Sequence, residues 1–319
     1  MTKLFWILGM VFTFNAVAQG DFPPAAGEEF STAIHRNDER IERWATACEV
    51  FRGPQDISNG SSPLASFGTE ASAVGVSSPM VLSLGDGGEA ILTFETPIAN
   101  ITGFDFAIFE NSFSDTFLEL AFVEVSSDGQ NYFRFPAVSL TPTTTQVDAF
   151  GSVDPSGLHN LAGKYRAQYG TPFDLEDLKD ELGLDINAIT HIKVIDVIGA
   201  ITGDHISYDS SGHMINDPWP TPFESSGFDL DAVAVLKVST VGLEELSSLI
   251  RLYPNPATNQ IVFERDTAEK EWLYIRELSG RLVLTEQLNN ESSYIDITSL
   301  QKGIYFIQYR SQLLQLVKK

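Results

Sequence analysis

Short runs of Phe, Val, Ile and Leu recur along the middle of the chain, separated by Gly, Pro, Asn and Ser. Such runs, bounded by turn residues, are typical of β-strands. They predict strands at residues 80–84, 90–94, 103–109, 118–126, 132–136, 191–197 and 228–238. Turns 85–88 and 127–130 contain Asp-Gly, which favours hairpins between antiparallel strands. We therefore predict a mainly β chain whose body is a jelly-roll-like antiparallel β-sandwich.

Two segments of the body have a helical pattern instead. Apolar residues between Ile34 and Cys48 recur near helical spacing, which predicts a short helix before Gly53 and Pro54. Residues 174–182 begin with acidic side chains, and acids in a first turn favour a helix there. The sandwich is therefore expected to carry a short helix or two.

The last part of the chain has its own strand pattern. Apolar runs at residues 260–263, 272–275, 281–284, 294–297, 304–307 and 316–317 recur at roughly ten-residue spacing, with turns at 279–280, 289–290 and 302–303. Before them, Pro254 and Pro256 flank Asn255 and prevent a helix. The pattern predicts a small C-terminal β-sandwich.

Several motifs of this segment follow one another: Tyr253-Pro254-Asn255-Pro256, Leu278-Ser279-Gly280-Arg281, Ile297-Thr298-Ser299-Leu300, Lys302-Gly303-Ile304-Tyr305 and the final Lys318-Lys319. With these motifs, residues 250–319 resemble the type A sorting domain of type IX secretion cargo in Bacteroidota. The resemblance implies passage from the periplasm to the outer cell surface or the medium through the type IX secretion machinery, with removal of the tail and attachment or release. An ordinary C-terminal adhesion sandwich is the alternative.

The start of the chain has the features of a secretory signal peptide. Lys3 precedes an apolar run at residues 4–14, and Ala16-Val17-Ala18 supplies a cleavage site. A membrane anchor is the alternative, although a spanning helix needs about 20 apolar residues. No other segment is that apolar, so no transmembrane segment is expected in the mature chain. The chain is therefore divided into a signal peptide (1–18), an acidic β-sandwich surface domain (19–240), a linker (241–249) and a sorting domain (250–319).

Charge is distributed unevenly along the 319 residues, whose formal net charge is −23. Residues 251–319 hold nine Lys or Arg and eight Asp or Glu, a net charge of +1, so the remainder carries −24. Such a body repels nucleic acid and anionic membranes and suits divalent cations, although acidity also keeps secreted proteins soluble. The single cysteine, Cys48, excludes an intrachain disulfide, and we interpret it as a small buried hydrophobic residue.

Several carboxylates interrupt or end apolar strands of the body. Strand alternation places the acids at 229 and 231 on one face, which the valines at 233 and 235 would continue. Close carboxylates repel unless a cation or hydrogen-bond donors neutralise them, and Ca²⁺ prefers such oxygen ligands. We predict a structural Ca²⁺ site, whose ligands are Asp105, Glu110, Asn111, Asp229 and Asp231. The alternative is that these acids cap turns and accept backbone N–H bonds.

The long loop at residues 199–227 is a second candidate site. It contains Asp204, Tyr208 and Trp219, with prolines that stiffen it. The Trp could stack against a sugar or another planar ligand, or it could close the end of the sandwich. No motif of a zinc protease, a serine hydrolase or a phosphate-binding loop is present, so we assign no catalytic residue.

The body also has a resemblance of its own. It rests on the motifs VLSLGDGG (81–88), FDFAIFEN (104–111), FVEVSSDG (122–129), NLAGKY (160–165), GTPFDL (170–175) and GFDLDAV (227–233). With them, residues 45–238 resemble a family of bacterial cell-surface proteins without a firm biochemical role, and HIKVIDV (191–197) is similar to discoidin-like sandwiches. The resemblance implies surface association rather than an activity.

The hypothesis from sequence is an exported, non-catalytic binding or adhesion protein that is stabilised by Ca²⁺ and takes a glycan or another small ligand. One alternative is a secreted hydrolase that acts on polysaccharide through paired carboxylates. Another is a surface accessory protein that captures a small nutrient for an outer-membrane transporter.

Overall fold

The computed structural model describes residues 22–238, 250–265, 268–310 and 312–319. Strands predominate in these ranges, which contain no α-helix and three short 3₁₀ turns at Glu70–Ala73, Pro155–Gly157 and Leu175–Leu178. The mainly β prediction is therefore confirmed. The predicted signal peptide (1–18) and the predicted linker (241–249) lie outside the described residues.

The body, residues 22–238, is built from short antiparallel strands. In chain order they are β1 (Ile34–His35), β2 (Ile41–Trp44), β3 (Ala47–Phe51), β4 (Leu82–Ser83), β5 (Glu89–Ile98), β6 (Phe106–Glu110), β7 (Ala121–Ser126), β8 (Phe133–Arg134), β9 (Val138–Ser139), β10 (Leu158–His159), β11 (Tyr169–Phe173), β12 (Ile189–Asp196) and β13 (Asp229–Leu236).

Two sheets of the body share one core. The first has the order β1-β11-β6-β13-β2, with β4 also paired to β13, and the second has the order β3-β5-β12-β7-β8. Phe106 and Val233 of the first sheet and Leu92 and Ile192 of the second belong to one cluster of fully buried side chains. The sheets therefore pack face to face as a sandwich, as the apolar strand pattern predicts.

The predicted helix at residues 34–48 is wrong, because this segment forms β1, β2 and the start of β3. In β3 exposed and half-buried residues alternate, and Cys48 and Val50 pack against the main core. This period of two is that of a strand. Burial raises the pKa of the Cys48 thiol to about 12, which keeps it protonated and unreactive.

The predicted helix at residues 174–182 is reduced to one 3₁₀ turn. The Asp174 side chain accepts a hydrogen bond from the N–H of Glu176 (3.0 Å), so a cap forms as the sequence indicates. Leu175 and Leu178, three residues apart, are both buried, whereas Leu182 is 94% exposed. A longer helix would bury nothing further, and the three-residue spacing of the two leucines matches a 3₁₀ turn.

Strand β13 contains an irregularity that the sequence pattern does not reveal. Its register against β6 shifts between Leu230 and Ala232. Leu230 and Val233 consequently face the same core, although they are three residues apart. The expected continuation of the acidic face by Val233 and Val235 is therefore wrong, because a β-bulge reverses the alternation after Asp231.

The tail, residues 250–319, has a separate core. Its strands are β14 (Arg251–Tyr253), β15 (Gln260–Glu264), β16 (Glu271–Glu277), β17 (Leu282–Leu288), β18 (Ser292–Asp296), β19 (Gly303–Tyr309) and β20 (Gln312–Lys318). They form sheets of order β14-β15-β18 and β17-β16-β19-β20. Side chains of both sheets, including Phe263 and Ile275, are fully buried together. This is the small β-sandwich that the strand spacing predicts.

Candidate functional site

Buried carboxylates gather at one end of the body's sandwich. Here β6 ends next to the start of β13, with Glu110 opposite Leu230, and β12 ends with Asp196 opposite Ala121, the first residue of β7. Six acids of this end are each less than 9% exposed: Asp86, Glu110, Glu119, Asp196, Asp217 and Asp229. We call these six residues the acid cluster.

Two members of the acid cluster are held by hydrogen bonds from loops. Asp196 accepts bonds from the backbone N–H of Phe228 (2.7 Å) and of Gly87 (2.9 Å). Asp86 accepts bonds from the N–H of Ile57 (2.9 Å) and from the indole N–H of Trp219 (3.3 Å). These carboxylates therefore fix the positions of several chain segments around the end of the sandwich.

Other members are only partly satisfied. One oxygen of Glu110 accepts the N–H of Ser112 (2.9 Å), and one oxygen of Asp217 accepts the N–H of Leu120 (3.1 Å). Oε1 of Glu110 and Oδ1 of Asp217 are buried without a hydrogen-bond partner. A buried polar atom without a partner costs about 1–3 kcal/mol, and more if it is charged.

Asp229 lies beside these unsatisfied groups. The Ser83 hydroxyl donates to one of its oxygens, and Nδ2 of Asn111 donates to the other (3.2 Å). Burial nevertheless raises the pKa of Asp229 to about 6, although both hydrogen bonds and the charge of Arg52 lower it.

The acid cluster is electrostatically strained. Burial raises the pKa of Glu119 well above its usual value, and the negative charges of Glu110, Asp229, Asp217 and Asp196 raise it further. Burial also raises the pKa values of Glu110, Asp217 and Asp196. Within the described ranges, no member of the cluster forms a salt bridge with Lys or Arg. Among the described residues the cluster therefore has no ion-paired cation, and Arg52 acts on Asp229 only through its charge.

Of the five ligands predicted for Ca²⁺, the structure brings Glu110, Asn111 and Asp229 together. Asp105 precedes β6 at its opposite end and accepts the N–H groups of Ile101 and Leu175, both at 2.6 Å. These two bonds correspond to the alternative role of capping, and burial raises the pKa of Asp105 to about 7.

Asp231, the fifth predicted ligand, is also engaged elsewhere. It accepts the Ser77 hydroxyl (2.5 Å) and the N–H of Ser78 (2.7 Å). Sequence reasoning missed Glu119 and Asp217, although Glu119 interrupts an apolar run in the same way as Asp105. In the ranges that the structure describes, no three His, Cys, Asp or Glu side chains are placed, as they stand, to hold a metal ion.

Replacing Asp105 with Asn is expected to lower the free energy of unfolding by about 1–3 kcal/mol, because the amide accepts one of the two backbone N–H bonds and opposes the other. Urea denaturation of the purified chain measures the change. Asp204→Asn, which alters an exposed loop acid, is the control and is expected to have no effect. An unchanged midpoint for Asp105→Asn would show that these bonds contribute nothing.

An exposed row of aromatic rings lies on loops of the same end. The rings of Phe113 and Phe117 stack with centroids 4.3 Å apart, Phe117 and Phe150 stack at 6.2 Å, and Phe150 contacts Phe223 at 5.9 Å. Phe113 is 73% exposed, Phe150 69% and Phe223 44%. We call these four residues the Phe ladder. The sequence did not indicate it, because its members come from three separate loops.

The loops of the Phe ladder begin or end at the acid cluster. Phe113 and Phe117 lie between Glu110 and Glu119, and Phe223 lies between Asp217 and Asp229. Both loops are therefore bounded at each end by a member of the acid cluster.

The loop of Phe150 is joined to the neighbouring segment by side-chain amides. Nε2 of Gln146 donates to the carbonyls of Gly199 (2.9 Å) and Asp217 (3.2 Å). Nδ2 of Asn216 donates to the carbonyls of Pro142 (2.7 Å) and Thr145 (2.8 Å). The third loop is thus tied to the segment that carries Asp217.

The side chains of the three residues predicted to contact a ligand, Asp204, Tyr208 and Trp219, do not contact one another. Trp219 is half-buried, and its indole bonds to Asp86, which fits the alternative in which it closes the sandwich end. Tyr208 is 53% exposed, and Asp204 is exposed. Among described residues, no hydrogen bond or ring contact joins these three side chains.

Comparison with known proteins identifies the tail. Residues 251–319 match the family model of the secretion system C-terminal sorting domain. Such a domain directs its protein through the type IX secretion machinery to the cell surface or the extracellular space, so this chain is exported. Across the described ranges, no helix is long and apolar enough to cross a membrane. No curated protein matches the chain.

Solved structures give only weak likenesses. The β-D-glucuronidase of Dictyoglomus thermophilum shares 7% identity at a TM-score of 0.22, covering 88% of this chain and 44% of that one. The β-glucuronidase of Faecalibacterium prausnitzii shares 9% sequence identity at a TM-score of 0.22, and the match covers 91% of this chain and 47% of that one. The BSP domain of a biofilm associated protein shares 12% sequence identity at a TM-score of 0.18, and the match covers 72% of this chain and 48% of that one. The chain thus spans less than half of each structure, and these TM-scores support no conclusion about fold or function.

Proposed function

We propose that the exported body is a non-catalytic surface-binding protein that holds a neutral glycan against the Phe ladder. The observation that carries the proposal is the exposure of three stacked or touching rings, at 73%, 69% and 44%, on loops at one end of the sandwich. Contiguous apolar surface of this kind costs solubility and marks interaction sites on exported proteins. Stabilisation of these loops by Ca²⁺ is part of the proposal.

The surroundings of the Phe ladder favour an uncharged ligand. Asp148 and Glu224 lie on the same loops and are exposed, and the chain outside residues 251–319 carries a net charge of −24. An acidic surface repels acidic polysaccharides, nucleic acid and anionic lipid. The apolar faces of neutral sugars can stack on aromatic rings without that penalty.

A double variant, Phe113→Ser with Phe150→Ser, is expected to weaken glycan binding by about five- to a hundredfold, since each aromatic contact contributes about 0.5–1.5 kcal/mol. The measurement is an array of neutral oligosaccharides probed with the purified exported chain in buffer containing Ca²⁺. Strongly bound oligosaccharides are then titrated by calorimetry against wild type and variant.

The matched control is Phe51→Ser with Leu182→Ser, which removes two exposed apolar side chains outside the ladder, 49% and 94% exposed. This control is expected to bind as wild type does. Absence of any neutral-glycan binding, or equal binding by the ladder variant, would contradict the proposal.

A further inference from the structure

We propose that Glu110, Glu119, Asp217 and Asp229 form a Ca²⁺ site at the base of the loops that carry the Phe ladder. The inference rests on the loops of the proposed function and is independent of the glycan. Two of these residues, Glu119 and Asp217, were not among the ligands expected from sequence. Asp105 and Asp231, which were expected, are left out of the proposed site because donors already hold both oxygens of each.

The first support is the presence of buried oxygens that the protein leaves unsatisfied. Glu110 is 1% exposed and Asp217 is 3% exposed, and each has one carboxylate oxygen without a partner. Glu119 is 8% exposed and directly precedes Leu120, whose N–H donates to Asp217 (3.1 Å). Two buried acids of the cluster therefore each offer an oxygen that no donor in the described ranges holds.

The second support is the proximity of the charges. The negative charges of Glu110, Asp217 and Asp229 raise the pKa of Glu119. The charge of Asp229 likewise raises the pKa of Glu110. Lysine and arginine side chains in the described residues form no salt bridge to any of the four. A single divalent cation would neutralise two of these charges at once, which no rearrangement of neutral donors can do.

The donor set selects the kind of cation. All four side chains offer carboxylate oxygen, and neither His nor Cys is among them. Ca²⁺ accepts about six to eight oxygen ligands in flexible arrangements, whereas Zn²⁺ favours nitrogen and sulfur, and Mg²⁺ requires a strict octahedron. Backbone carbonyls, water and the amide oxygen of Asn111 can complete the shell.

Binding requires a rearrangement of side chains. As the described residues stand, no three acids are already grouped around one point. Oε1 of Glu110 and Oδ1 of Asp217 have no hydrogen-bond partner, so these oxygens can turn towards a cation without breaking a hydrogen bond of their own. The ion would then connect both ends of the 111–118 loop to the segment at 217–229.

The test uses the full exported chain stripped with EDTA and then dialysed. Ca²⁺ alone is added to millimolar concentration, the range in which extracellular calcium modules bind, and unfolding is followed by calorimetry. Wild type is expected to gain about 5 °C or more in Tm, and Mg²⁺ at the same concentration less. Isothermal titration is expected to show heat of Ca²⁺ binding.

Glu119→Gln and Asp217→Asn are each expected to abolish most of the Ca²⁺-dependent rise. Asp105→Asn and Asp231→Asn are the controls, because they alter buried acids held by other donors, and they are expected to keep the full rise. Far-UV circular dichroism checks that each variant is folded before titration.

Three results would overturn the site: no rise and no heat for wild type, a full rise in both Glu119→Gln and Asp217→Asn, or loss of the rise in the controls alone. If a variant fails to fold, the Ca²⁺-dependent rise in Tm and the heat of binding of wild type alone decide whether the chain binds Ca²⁺. A chain that binds Ca²⁺ but no neutral glycan retains this site and contradicts glycan binding. A chain that binds glycan but no Ca²⁺ retains glycan binding and loses both this site and the Ca²⁺ part of the proposed function.

Discussion

A chain that lacks residues 250–319 is expected to remain in the periplasm of a bacterium with type IX secretion, with almost none at the cell surface or in the medium. The deleted segment contains the whole region that matches the sorting domain model, residues 251–319. It also contains an independent core, so its removal leaves the buried residues of the body's sandwich in place. Immunoblots of periplasm, outer membrane and medium measure the distribution.

The control for this deletion is the full-length chain with Phe51→Ser and Leu182→Ser, which changes the surface of the body and leaves the tail intact. It is expected outside the cell at the wild-type level. Export of the truncated body at a comparable level would show that the tail is dispensable for secretion.

Gly163→Ala is expected to cause the largest loss of stability among single substitutions near the site. Gly163 has a φ of +82°, and a Cβ atom there would lie 1.8 Å from the carbonyl oxygen of Glu119 and 3.0 Å from the ring of Phe228. Backbone strain and overpacking act together, so we expect a loss of about 3 kcal/mol or more and a fall in Tm of about 10 °C.

Gly60→Ala is the matched control, because a Cβ atom at that position meets no atom within 4 Å and the φ there is not positive. Calorimetric Tm values of the two variants and wild type are compared in the same buffer. A Tm for Gly163→Ala close to that of wild type would mean that the segment at 160–163 can move away from Glu119.

The strands could be predicted because their signal is local. Apolar runs bounded by turn residues predicted strands that correspond to β5, β7, β12 and β13. The Asp-Gly turn at 127–130 joins the paired strands β7 and β8, as expected. The hairpin expected at 85–88 is wrong, because β4 pairs with β13 whereas β5 pairs with β3 and β12. The two helices failed for opposite reasons. Near Cys48 a period of two was read as a helical one, and after Asp174 a correct cap led to only one turn, since Leu182 had no core to enter.

The candidate site was only partly predictable because it is assembled from distant segments. An acid inside an apolar strand signals burial without naming its partner, so Asp105 and Glu110 looked alike. Only the structure separates them, because backbone N–H groups satisfy both oxygens of Asp105 and one of Glu110. The β-bulge after Leu230 likewise depends on pairing with β6 and leaves no pattern in sequence.

The Phe ladder could not be predicted from sequence either, because it too is assembled from distant segments. Phe113 and Phe117 are close in sequence, but Phe150 and Phe223 join them through loops that Gln146 and Asn216 hold together. No periodicity connects these positions. The Phe ladder can therefore be recognised only in the folded chain, whereas the sorting domain can be recognised from the sequence of the tail alone.

Hydrogen–deuterium exchange of the exported chain, with and without a saturating mixture of neutral oligosaccharides in Ca²⁺ buffer, tests the binding surface most directly. Slower exchange is expected in the loops that carry Phe113, Phe150 and Phe223, with little change in β3 and in the tail. Protection confined to other surfaces, or none at all, would contradict it.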